Sequence, residues 1–241
     1  MNILNVKAIK TVLFLLFLSL VILILSIFGL FLHVDKALSV NSTLSDKVII
    51  IDAGHGGEDG GAEVNGILEK NINLSIAHIL SDYLKLSHIK CDMTRKDDRL
   101  LYKPGEEKHK KRYDLLNRVE FANNYANAVF ISIHQNKFEI SKYRGLQVYY
   151  SPNNDASSVL AETIQKNAKT LLDNSNRREI KKADFRIKVL DMLKMPAVLV
   201  ECGFLSNPEE AKLLDSTEYQ KKIAFIIYLS AIEYLENNGE L

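Results

Sequence analysis

The chain has 241 residues, 47% of them apolar and 25% charged, with only four prolines. This composition excludes a disordered or fibrous chain and leaves room for one domain with a full core. The formal net charge is +1, and without Lys7 and Lys10 the remainder is about one charge negative, which excludes a nucleic-acid binder acting through a basic field.

Those two lysines precede Thr11 to Leu32, 22 residues without a charge. As a helix this run spans roughly 33 Å, enough for a hydrocarbon core of about 30 Å. It has no polar face, so it does not read as a helix buried in a soluble core. A cleavable signal has an apolar region of about 7–15 residues before a small-residue cleavage site. Ala37-Leu38-Ser39 has that character, but the run is too long. The expectation is an uncleaved anchor over residues 1–33, a linker over 34–46 and one domain over 47–241. The lysine-bearing end lies inside, and everything after His33 lies outside the membrane.

Beyond the linker, six strand-like segments alternate with helical ones: Lys47–Asp52, His88–Thr94, Ala128–His134, Leu146–Tyr150, Ile187–Leu190 and Ala197–Cys202. Between the first two strands, Ile72, Ile76, Ile79 and Tyr83 recur at helical spacing, with His78 off that face. Further helices are predicted at Tyr113–Tyr125, Ala156–Leu172 and Tyr219–Leu235. A short one follows Ser206-Asn207-Pro208, with proline in the first turn. Near-continuous apolar strands alternating with helices predict an α/β fold, a mainly parallel six-stranded sheet covered on both faces. Cys91 and Cys202 sit in or beside apolar strands and read as small buried hydrophobes. The basic run Lys108–Arg112 follows Glu106 and Glu107 and reads as a solvated loop.

The stretch IIIDAGHGGEDGGAEVNG, Ile49 to Gly66, leads a strand into a glycine-rich loop around one histidine. A phosphate cradle needs a third glycine where Asp59 stands, and Glu58, Asp59 and Glu63 would repel the anion. A plain turn requires neither Asp52 ending the strand nor His55 between glycines. In open α/β sheets, ligands bind beyond the carboxyl ends of the strands. His55 lies past one such end, His134 closes AVFISIHQN, Glu201 nears the end of PAVLVECGF, and Glu69 opens the first helix. Each has a structural alternative, since a strand-end histidine is often structural and Glu69 suits a helix N-terminus. Glu201 is harder to place that way, because a carboxylate in so apolar a strand carries a large desolvation cost unless used. Two histidines and a carboxylate with a position left for water form a catalytic zinc pattern. Period-two alternation sends Cys202 to the opposite face.

Four motifs, IIIDAGHGGEDGGAEVNGILEKNINLSIA, MTRKDD, NRVEFANNYANAVFISIHQN and MPAVLVECGFLSNPEEAKLL, together resemble the zinc-dependent N-acetylmuramoyl-L-alanine amidases of bacterial cell-wall metabolism, the amidase-3 family. The resemblance runs from about Lys47 to the last helix. It implies a six-stranded sheet among helices, Zn2+ ligands at His55, Glu69 and His134, and a catalytic glutamate at Glu201. Its implied substrate is peptidoglycan glycan strands with stem peptides, cut between muramic acid and L-alanine. Zinc activates water and polarises the amide carbonyl, while Glu201 takes the water proton and returns it to the leaving amine. Asp52 and Asn136 are expected to orient ligands or substrate, with turn or cap roles as the alternative. An anchor followed by a bare catalytic domain is most similar to germination-specific members of endospore formers, which act in making muramic δ-lactam in spore cortex. Family members are often held off until an activator protein binds, so such a partner is implied too. Leu100–Arg112 departs from the family pattern, being longer and more basic. A zinc peptidase or deacetylase of peptidoglycan stays open, as does a non-catalytic wall-binding protein on this fold.

Overall fold

The structure, a computed structural model, describes residues 9–29 and 47–237. Lys7, His33, the Ala37-Leu38-Ser39 segment and the 34–46 linker fall outside the described residues. Within the first unit, α1 (Ile9–Gly29) has 21 residues, a mean hydropathy of 3.0 and no buried side chain. It is long and apolar enough to cross a membrane.

The second unit, Leu44–Leu241, is the folded domain. Its main sheet contains β1 (Val48–Ala53), β4 (Cys91–Met93), β5 (Ala128–Asn136), β6 (Gln147–Tyr150), β7 (Lys181–Lys182) and β8 (Ala197–Phe204), in the order β4-β1-β5-β8-β6-β7. Only the β6–β8 pairing is antiparallel. The apolar runs of β1, β5 and β8 occupy adjacent central positions, where both faces are covered. Alternate residues divide between two cores. Ile49, Ile51, Val129, Ile131, Val198 and Val200 pack with α2 (Glu69–Leu86), α4 (Ala156–Leu171) and α7 (Thr217–Asn237). Ile50, Phe130, Ala197 and Leu199 pack under α3 (Lys110–Asn123) and α5 (Lys188–Met192). Asp52, Ser132, His134 and Glu201 continue this second face towards the carboxyl ends.

The predicted strand over Ile187–Leu190 is instead the start of α5. Four apolar residues fit either period. Here Val189 and Leu190 are both buried in one core, and the Ile187 carbonyl accepts the Leu190 N–H at 3.1 Å. The sixth strand is β7, whose two exposed lysines pair beside Tyr149 and Tyr150. A short lysine-bearing edge discourages pairing with another sheet. His88 likewise does not begin a strand: its φ of 58° belongs to the turn that ends α2, and β4 starts at Cys91. As predicted, Pro208 opens α6 (Pro208–Leu214), and the Asn207 side chain accepts from the Glu209 and Glu210 N–H groups. Both cysteines are free; Cys202 is buried and Cys91 half-buried.

Candidate metal centre and active site

The glycine segment leaves β1 and folds back as a small hairpin of β2 (Glu63–Val64) and β3 (Ile67–Leu68). Its turn is Asn65-Gly66, both at positive φ, a dipeptide suited to a tight hairpin turn. The hairpin delivers Glu69 to the start of α2 and into the crevice. There it meets His55 from the loop after β1 and His134 from β5. Ligand atoms of His55, Glu69 and His134 all lie within 4.8 Å of one another.

Glu69 is the hub. Its Oε1 lies 2.9 Å from His134 Nδ1 and accepts the Gln135 backbone N–H at 3.0 Å. Its Oε2 lies 3.2 Å from His55 Nε2 and accepts the Ala62 N–H at 2.8 Å. Burial would raise this carboxyl, but the hydrogen bonds and charges of the two histidines hold it well below the usual carboxylate range. Burial also pushes His55 down, yet Glu69 and Asp59 overcome it and raise the imidazole to about 9. The surroundings therefore favour positive charge where the ligand atoms converge.

Glu201 stands beside this group, since its Cα is in register with that of His134 on the neighbouring strand. The residue keeps some exposed surface, but its Oε2 is sealed from solvent without a hydrogen-bond partner. Burial is the main cause that lifts its carboxyl to about 7, with Glu69 adding to it and the histidines opposing. Cys202 points into the opposite core, where burial first and the Glu201 charge next hold its thiol protonated. A thiolate ligand is thus excluded. Two imidazoles, one carboxylate and an unpartnered acid fit a divalent cation of the zinc class.

The loop's glycines are required by close approach. A Cβ on Gly54 would lie 2.2 Å from His134 Nε2, and one on Gly61 would lie 2.5 Å from Glu69 Oε2. A side chain at Gly54 would displace the His134 ring, and one at Gly61 the Glu69 carboxylate. Asp59, at the position that argued against phosphate, accepts from His55 Nδ1 at 2.8 Å.

Sequence reasoning passed over two arginines that secure this loop from beneath. Arg118 of α3 donates to Asp52 at 2.7 Å, to the Ala53 carbonyl at 2.8 Å and to the His55 carbonyl at 2.7 Å, and also pairs with Asp114. Arg95 donates to the carbonyls of Ala53, Gly54 and Lys70. Both are buried. Asp52 therefore reaches the ligand loop through Arg118, while Ser132 and Thr94 also donate to it. Asn136 holds the end of β8 through its carbonyl, which accepts the Leu205 N–H at 2.8 Å. The available signals were the arginines inside MTRKDD and NRVEFANN, which as charges read like surface.

The basic run also differs from its predicted form. Lys108 and His109 lie in a 3-10 turn and Lys110–Arg112 begin α3. Cations in a helix's first turn oppose its dipole. Lys110 bonds Glu58 at 2.6 Å and Lys111 bonds Asp59 at 2.8 Å, so the run is clasped to the glycine loop rather than free in solvent.

Comparison with known proteins shows the family to which the chain belongs. A family model described as N-acetylmuramoyl-L-alanine amidase matches residues 49–233. The germination-specific N-acetylmuramoyl-L-alanine amidase of Bacillus subtilis is 36% identical over 199 residues, covering 82% of this chain and 83% of that protein. The CwlD amidase of Clostridioides difficile, solved in complex with the GerS lipoprotein, superposes with a TM-score of 0.76 at 42% identity, covering 80% of this chain and all of that one. The amidase AmiC2 of Nostoc punctiforme does so with a TM-score of 0.67 at 32% identity, over 79% of this chain and 97% of that one. A match spanning the sheet, the ligand loop and the Glu201 strand leaves peptidase, deacetylase and scaffold readings without support: the chain belongs to the N-acetylmuramoyl-L-alanine amidase family and is a peptidoglycan amidase.

Proposed function

We propose that the enzyme works with Zn2+ held by His55, Glu69 and His134, and that Glu201 is its general base and acid. The observation that carries this reading is the partnerless Glu201 Oε2, sealed in the crevice one strand from His134. A buried acceptor without a donor is costly unless a substrate or water completes it. When bound, zinc supplies Lewis acidity, polarising the amide carbonyl and making water nucleophilic near neutral pH. Glu201 takes the proton of the attacking water and delivers it to the departing nitrogen of L-alanine. Glu69 keeps the two imidazoles converged, and the Asp59 carboxylate fixes the His55 tautomer through Nδ1.

The same reading places the enzyme in spore cortex maturation, at the step that leads to muramic δ-lactam. It is supported by the likeness to a germination-specific relative. The α1 helix, within residues 1–33, anchors it, and the 47–241 domain acts on the outer side of that membrane. An activator protein is a further partner, a reading supported by the complex in which the Clostridioides difficile relative was solved. The test is incubation of the full chain, purified in detergent, with peptidoglycan in the presence and absence of zinc, with products read by mass. Release of intact peptides beginning with L-alanine only when zinc is present is the expected result. Zinc-independent release, or cleavage at another bond, overturns the reading.

A further inference from the structure

On the far side of Glu201, the antiparallel strand β6 places Gln147 at the register position facing it. Residues facing in register point to the same side of a sheet, so Gln147 shares the crevice side of β8. Its Oε1 accepts from Arg178 Nη1 at 3.1 Å, and Arg178 Nε donates to the Arg144 carbonyl at 2.7 Å. The guanidinium lies over the Phe204 ring, 4.3 Å from its centroid, with the Tyr143 ring centroid at 5.9 Å. The cation–π contact and two neutral acceptors thus hold it in place.

Among the described residues it makes no direct ion pair, in contrast to Arg118 with Asp52, Arg144 with Asp173 and Arg186 with Asp184; the Glu210 carboxylate feels its charge but is itself bonded to the Gly145 and Phe204 N–H groups. Of the five N–H donors of an arginine, the two bonds just named use one on Nε and one on Nη1, leaving Nη2 uncommitted. Tyr149, two residues along β6, senses both ends of this floor: burial first and the Glu201 charge second raise its phenol, and Arg178 opposes them.

We propose that Arg178 is a specificity-determining residue that binds a carboxylate of the stem peptide. The scissile amide takes up the amino end of the peptide, so the stem runs away from the bond and carries free acid groups further along. One strand spacing plus a side chain puts the guanidinium on the order of 10 Å from the reacting carbonyl, the reach of about three extended residues. The planar fork suits bidentate recognition of a carboxylate. Tyr143 beside the guanidinium, with Phe138 packed against its ring, is exposed between β5 and β6, and the pair offers apolar contact to the peptide stem.

The inference rests on the amidase reading for its substrate, and a binding measurement separates the two. Calorimetric titration uses the full chain carrying Glu201→Gln, with a muramyl peptide whose stem ends in free carboxylates and with the same peptide as carboxamides. The carboxylate form is expected to bind roughly tenfold to a hundredfold tighter, and Arg178→Gln added to that background should abolish the preference. Arg178→Lys should keep part of it. Equal binding of the two peptides to the Arg178 protein overturns the proposal without any variant at that position, and so does a preference that survives Arg178→Gln. Whether the unsubstituted enzyme cuts the amide is read separately and bears on the reaction alone.

Discussion

Asp59 Oδ2 accepts the hydrogen bond of His55 Nδ1 at 2.8 Å, and the other carboxylate oxygen pairs with Lys111 at 2.8 Å. A carboxylate behind a ligating histidine fixes the tautomer and raises ligand basicity, and its loss costs roughly tenfold to a hundredfold in metal affinity. Asp59→Ala should weaken zinc binding by that amount, as measured by competition with a chromophoric chelator. Lys111→Ala should cost much less, because Lys111 is exposed and solvent screens the pair. Unchanged zinc affinity in Asp59→Ala would show the contact to be incidental.

Glu201 differs from the three convergent residues in having an oxygen that nothing satisfies. Glu201→Gln preserves shape while removing the ability to take a proton. Turnover should fall by about 10²–10⁴, with zinc content by elemental analysis and the circular dichroism spectrum unchanged. A variant that keeps full activity would remove Glu201 from the reaction. Loss of the metal would make it a ligand instead.

Burial alone would raise Asp52, but Arg118 beside it and the hydrogen bonds from Ser132, Thr94 and Arg118 hold its carboxyl at about 2. A folded value below the unfolded value of 3.8 means that this group stabilises the protein above pH 4. The contribution, about 2 kcal/mol, is lost as pH falls from about 5 through 2. Asp52→Asn should therefore destabilise the domain at neutral pH by at least that amount, because it also leaves the Arg118 charge partly uncompensated. The gap to the unsubstituted protein should narrow as pH falls below 4. Denaturation followed by circular dichroism suits a chain without tryptophan. A gap independent of pH would mean that Asp52 is not held as the structure shows.

These residues mark where sequence was informative. β1, β5 and β8 announce themselves because central parallel strands are apolar on both faces, and His55, His134 and Glu201 are visible as polar residues where those runs end. Glu69 is legible as the acid opening the next apolar period. Arg95 and Arg118 are not, because nothing local distinguishes a buried guanidinium from a surface one. The carbonyls they hold after β1 lie 41 to 65 residues away. The clasp of Lys110 and Lys111 on Glu58 and Asp59 is hidden for the same reason, being a pairing across 52 residues. β7 could not be read at all, since two exposed lysines carry no period and become a strand only because β6 offers them an edge.

The glycine loop gives the sharpest test of how the centre is built. Gly54 has ordinary backbone angles, so alanine there meets no conformational penalty and acts only through space. The added methyl would lie 2.2 Å from His134 Nε2 and 2.3 Å from its Cε1, well inside contact distance. The Gly54 carbonyl is held by Arg95 and Asn73, so the loop cannot retreat without breaking buried bonds, and the imidazole is the part that must move. Gly54→Ala should therefore fold with a near-native far-ultraviolet spectrum, lose most of its zinc and lose turnover in parallel. Gly66→Ala, at the hairpin turn with open space around it, meets only the cost of its φ of 81°. It should lower the thermal midpoint modestly while keeping the metal. Zinc retention by Gly54→Ala at the level of Gly66→Ala would mean that His134 is not held against the loop as a ligand.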